Sequence, residues 1–103
     1  MPSRLEMLEQ MIAKGVNDAF PMYGLALEYR SAGRENDAVR AFENLRAKFP
    51  GYVPQYLMCG QLLEKLGRKD DARAWFEAGI ASANKARDMH AVGELESALA
   101  GLR

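Results

Sequence analysis

The sequence has one cysteine and one histidine, so it offers no intramolecular disulfide, no thiolate cluster and no pair of imidazoles for a metal or a catalytic centre. Cys59 stands among Leu57, Met58, Leu62 and Leu63 and reads as a small buried hydrophobe on a helix, since free cysteine behaves as an apolar residue. His90 has Asp88 nearby, but the chain contains no phosphate-cradling glycine loop and no nucleophile elbow, and His90 reads as a surface or cap residue. The adjacent carboxylates Asp70 and Asp71 fit the start of a helix better than a facing acid and base. These absences predict a non-catalytic protein with no cofactor, no metal and no catalytic residue.

Charge of one sign is also missing. Fourteen Lys and Arg balance fourteen Asp and Glu, so no whole-molecule field draws the chain to nucleic acid or to an anionic membrane. No apolar run approaches the roughly 20 residues that span a bilayer. Glu6 and Glu9 fall where a secretory signal would be uninterruptedly apolar, and the expectation is a soluble, cytoplasmic protein. Strand signals are scarce too, because β-branched residues nowhere alternate with polar ones over four positions.

What is present is helical periodicity. Leu5, Leu8, Met11 and Ile12 recur at helical spacing and predict a first amphipathic helix over 4–14, ended by Gly15. Asn17 or Asp18 caps a second, over about 19–32, with Pro21 in its first turn and Gly33 as terminator. Asn36 or Asp37 caps a third, which runs to Phe49 and stops at Pro50 and Gly51. Pro54 opens a fourth that closes at Leu66 and Gly67, and Asp70 or Asp71 caps a fifth that continues to about Ala86. Val92, Leu95, Leu99 and Leu102 mark a sixth, over 88–102.

Two stretches repeat each other. "GRENDAVRAF" at 33–42 and "GRKDDARAWF" at 67–76 share Gly33 with Gly67, Arg34 with Arg68, Asp37 with Asp71, Ala38 with Ala72 and Phe42 with Phe76. A period of 34 residues containing two helices is the spacing of the tetratricopeptide repeat, and residues 19–52 resemble one unit of that family: Met22, Leu25, Ala26, Tyr29, Gly33, Ala38, Phe42 and Pro50 take its pattern positions, with Leu45 where a small residue is usual. Residues 53–86 resemble a second unit through Tyr56, Cys59, Gly60, Leu63, Gly67, Ala72, Phe76 and Gly79, with Asn84 replacing the closing proline. Small residues at such positions let helices approach closely, and replacing Ala38 or Ala72 with Leu is expected to cost about 1–3 kcal/mol by overpacking.

The resemblance implies an all-α, right-handed helix-turn-helix solenoid of about six helices. It is read as one domain over 1–103: a capping helix at 4–14, repeats at 19–52 and 53–86, and a second capping helix at 88–102. The caps are needed because repeat faces are buried only by neighbours.

It also implies a protein-protein interaction module that holds a peptide or a partner helix in a concave groove lined by the first helix of each unit. Carried onto this chain, the groove residues are Tyr23, Leu27, Arg30 and Ser31 from the first unit and Leu57, Met58, Gln61, Glu64 and Lys65 from the second, with Ala91, Leu95 and Ala98 added by the last helix. Tyr23, Leu27, Leu57 and Met58 read equally as exposed anchors or as packing residues. The family subclass that captures chaperone C-terminal carboxylates uses basic and amide side chains, where this chain has Tyr23, Leu27, Met58, Asp88 and Val92, so a receptor of that type is not expected. The partner expected is another protein or peptide, and a homodimer would cover exposed repeat faces. The alternatives are polyanion or nucleic-acid binding along a basic edge formed by Arg30, Arg34, Lys65, Arg68 and Lys69, or a purely structural, self-associating scaffold. Nucleic acid is disfavoured because no aromatics interleave that edge and Asp37, Asp70 and Asp71 dilute it. No membrane is expected as a partner.

Overall fold

The computed structural model describes residues 1–102. They form six helices in order: α1 (Arg4–Ala13), α2 (Ala19–Ser31), α3 (Glu35–Lys48), α4 (Pro54–Lys65), α5 (Lys69–Lys85) and α6 (Met89–Ala100). The helices fall into two compact units, Met1–Phe49 and the chain from Pro50 onward. In the first unit α2 packs on both α1 and α3; in the second α5 packs on both α4 and α6.

The helix ends follow from short polar side chains and from glycine. Ser3 and Glu6 form a reciprocal capping box on α1, in which Ser3 Oγ accepts from the Glu6 amide at 3.1 Å and Glu6 Oε1 from the Ser3 amide at 3.4 Å. Asp18 caps α2 by accepting from the Phe20 amide at 3.2 Å, and Asp88 caps α6 by accepting from the Ala91 amide at 3.1 Å. Pro54 occupies the first turn of α4, where a missing amide leaves nothing unsatisfied.

At the other ends, Gly33 and Gly67 take left-handed φ values of 78° and 79°. Each allows the next amide, of Arg34 or Arg68, to reach back 2.9 Å to the carbonyl of Tyr29 or Leu63. The α5 terminus makes the same closure, Asp88 amide to Ala83 carbonyl at 2.9 Å, but its left-handed residue is Arg87, at φ 58°.

Two expected caps are not caps. α3 and α5 begin at Glu35 and Lys69, and their N-cap residues are Arg34 and Arg68, which make no side-chain cap bond. Each of these arginines already closes the preceding helix through its amide, so no separate capping residue fits between the helices. Asp37 and Asp71 instead lie inside the first turn, where each accepts a hydrogen bond from the Nε of Arg34 or Arg68 at 2.9 Å. Carboxylates there still complement the positive end of the helix dipole.

In the first unit Ala26, Ala38 and Phe42 are completely buried, with Met22 close to it. In the second, Tyr56, Cys59, Leu63, Ala72, Phe76 and Leu95 are 2% exposed or less, which confirms Cys59 as a packing residue. Close approach is forced at Gly79, where a Cβ would stand 2.5 Å from Cβ of Tyr56 and 3.1 Å from the Leu95 methyls. Leu95 is therefore core and not the groove residue expected.

α1 also departs from expectation. Its predicted apolar stripe includes Met11, yet only Leu8 is buried and Met11 is 38% exposed. α2 is the main neighbour of α1 within its unit, and one main neighbour does not cover the full width of that stripe.

Candidate functional site

α2 and α4 are the first helices of the two repeats, and each carries one stripe that its own unit leaves at least partly accessible. On α4 the buried face is Gln55, Tyr56, Cys59, Gly60, Leu62 and Leu63. Leu57, Gln61 and Glu64 follow at i, i+4 and i+7 on the other face; Leu57 and the adjacent Met58 are half-buried, while Gln61, Glu64 and Lys65 are exposed. At the equivalent positions of α2, Tyr23, Leu27 and Arg30 are all half-buried, and Ser31 is exposed. The Tyr23 ring meets Phe42 edge-on, with centroids 6.3 Å apart, so part of it belongs to the packing of its unit. Ala91 and Ala98 of α6 are half-buried.

A different face of the first unit holds a cleft of about 220 Å³. Ile12, Met22, Leu25 and Ala41 give it an apolar floor, and Tyr29, Asp37, Arg40 and Asn44 line its polar side. One wall is held by a chain of contacts across three helices. The Tyr29 hydroxyl donates to Glu9 Oε2 at 2.6 Å, the Arg34 guanidinium lies 4.7 Å over the Tyr29 ring, and Asp37 accepts from both Arg34 and Arg40.

These contacts shift protonation in consistent directions. The hydrogen bond to Glu9, helped by desolvation, holds the Tyr29 hydroxyl above its ordinary pKa. The hydrogen bonds from Arg34 and then Arg40 hold Asp37 below the usual carboxylate range, and Asp37 in turn raises Arg34. Periodicity and the repeat pattern do not single out Arg40, Ala41 or Asn44. The one signal for them is the mismatch at the 34-residue offset, where Ala41 answers to Trp75.

Elsewhere, Met7 (52% exposed), Met11, Val16 and Phe20 (68%) line two adjoining hollows beside α1 and the start of α2. His90 is exposed and faces Glu94 at 3.3 Å, while Asp88 serves as a cap. Of the cations expected on a basic edge, Arg34 and Arg68 are each engaged by an aspartate of the following helix. Among the described residues no three His, Cys, Asp or Glu converge as a metal site, and no helix is long and apolar enough to cross a membrane.

The sequence pattern of the tetratricopeptide repeat matches residues 29–100. The chain is 35% identical over 94 residues to a TPR repeat-containing protein of Pseudomonas aeruginosa, covering 88% of this chain and 87% of that one. In three dimensions it is similar to the solution structure of a tetratricopeptide repeat domain protein from Salinibacter ruber, with TM-score 0.80, 32% identity and coverage of 84% and 87% of the two chains. It is also similar to a solution structure of a Bordetella parapertussis protein, with TM-score 0.82, 26% identity and coverage of 99% and 89%. Six helices, no strand among the described residues and these neighbours in space define an all-α helical-solenoid fold.

Proposed function

Because the chain belongs to the tetratricopeptide repeat family, whose fold is a general protein-interaction module, we propose that it is a non-catalytic adaptor that binds a peptide or partner helix along α2 and α4. The observation that carries this reading is the α4 stripe. Leu57 and Met58 offer accessible apolar surface beside the exposed polar side chains of Gln61, Glu64 and Lys65, which is the anchor-and-rim composition of a recognition surface. Tyr23, Leu27 and Arg30 would contribute the corresponding stripe of the first repeat, with the helices at either end of the chain acting as caps.

The sequence supports separating frame from surface. Gly33, Ala38 and Phe42 recur as Gly67, Ala72 and Phe76, whereas Tyr23, Leu27 and Arg30 become Leu57, Gln61 and Glu64 at the same offset. The test is capture of partners from the native cell on immobilised wild-type chain, on Leu57→Glu and on the double variant Glu64→Lys with Lys65→Glu. Loss of the same partner by both variants at unchanged helicity supports the reading. Undiminished capture by both rejects it.

A second reading, a self-associating scaffold, is favoured by the exposed Met7, Met11, Val16 and Phe20, which together form an apolar patch on one end of the first unit. Light scattering that finds a dimer for the wild type and a monomer for Met11→Glu with Phe20→Ser would favour it. A monomeric wild type at high concentration excludes it.

A further inference from the structure

The two repeats differ in size at one pair of equivalent positions. In the second unit Trp75 is 8% exposed and packs its ring against Tyr56, centroids 5.7 Å apart. Thirty-four residues earlier, the residues at those positions are Ala41 and Met22, which are 8% and 5% exposed and form part of the floor of the first unit's cleft. The second repeat carries a large aromatic side chain where the first carries a methyl group.

The missing plug defines what fits. A volume of about 220 Å³ is below the roughly 300–1,000 Å³ of small-molecule sites and is on the scale of a single large side chain. Met22 supplies a thioether on the floor, and sulfur against an aromatic ring is a favourable contact. The rim adds a sign. Arg34, Arg40, Asp37 and Glu9 balance in charge, but Asp37 is engaged by both guanidiniums and Glu9 by the Tyr29 hydroxyl, so Arg40 is the charged group of the cleft lining that stands most open to a partner. The Arg40 side chain is 68% exposed, and the second unit has Ala74 in its place.

We propose that the cleft between α1, α2 and α3 is a socket for a tryptophan-sized aromatic side chain of a partner peptide that carries a carboxylate beside it, paired with Arg40. The aromatic ring takes the place that Trp75 fills in the second repeat, and the acid pairs with the exposed Arg40 guanidinium. This site goes beyond the stripe on α2 and α4. Met22, Leu25 and Tyr29 point about 130° around α2 from Tyr23, Leu27 and Arg30, so the two surfaces stand or fall separately.

The test is an NMR titration of the isotope-labelled full chain with the blocked tripeptide acetyl-Glu-Trp-Glu-amide. Saturable shifts at the Met22, Ala41 and Asn44 amides are expected. They should vanish when the peptide Trp is replaced by Ala, and should weaken several-fold with a Gln-Trp-Gln peptide. Ala41→Trp supplies the plug in cis and should abolish binding while keeping or raising Tm. Arg40→Glu, at an exposed position, should weaken the acidic peptide at least fivefold and the Gln peptide little. Shifts elsewhere only, no saturation by about 1 mM peptide, or wild-type affinity in Ala41→Trp overturns the proposal. If Ala41→Trp does not fold, Arg40→Glu decides, and unchanged affinity for the acidic peptide overturns it.

Discussion

A Cβ placed on Gly60 would lie 2.3 Å from Cε1 of Phe76, a ring with no exposed surface. α4 and α5 meet there with no room for a methyl group, and the buried ring has nowhere to withdraw. Gly60→Ala is expected to lower stability by about 1–3 kcal/mol in thermal or urea unfolding, outweighing the up to about 1 kcal/mol gained from alanine's better helix preference. Gly93→Ala is the control, because a Cβ there meets nothing within 4 Å, and it should stabilise by about 0.5–1 kcal/mol. Equal effects at the two positions would contradict the close contact.

The Tyr29–Glu9 bond makes stability depend on alkaline pH. Tyr29 has its pKa raised in the folded chain, so its contribution is complete below the ordinary tyrosine value near 10 and is lost as pH rises through the higher folded value. Tyr29→Phe should cost about 0.5–1.5 kcal/mol at neutral pH and flatten the stability curve above about pH 10. Urea unfolding of both proteins across pH 8–11 measures this, and parallel curves would contradict it.

Asp37 acts at the other end of the scale. Its pKa is depressed by Arg34 and Arg40, so its contribution is present above the ordinary carboxylate value and is lost as pH falls through the lower folded one. Asp37→Asn should be less stable than wild type at neutral pH, with the gap closing in strong acid and shrinking in high salt, because the group is partly open to solvent. A gap independent of both pH and salt would point to packing instead.

Arg87 holds a left-handed conformation at φ 58° in a closure that glycine provides after α1, α2 and α4. Arg87→Gly is expected to raise stability by about 1 kcal/mol, and Arg87→Val to lower it by more than that, because a β-branched side chain tolerates this region least. Thermal unfolding of the two variants checks both signs.

Much of the frame was legible because its signals are local. Asp18, Pro21, Gly33, Pro54 and Gly67 act through their own backbone or the next turn, and they place helix boundaries to within a residue or two. Asp37 and Asp71 were legible as residues at helix starts but not in their role. Whether such a carboxylate caps an amide or faces Arg34 or Arg68 depends on how the preceding helix closes, which no short window contains. The stripe positions on α2 and α4 could be placed on their helices from spacing, while their accessibility depends on which neighbours arrive.

The sequence alone determined the all-α class, the 34-residue period, the six helices and the small-and-large pattern that lets them meet, since each is written in spacings within one or two turns or in the echo between repeats. Tertiary structure decided what those helices cover: Met11 lies outside the core, Leu95 lies inside it, and Ala41 and its counterpart Trp75 are both buried although only Ala41 floors a cleft. Burial belongs to a side chain together with everything that packs on it, so the spacing that places a residue on a helix face does not say whether a neighbour covers it.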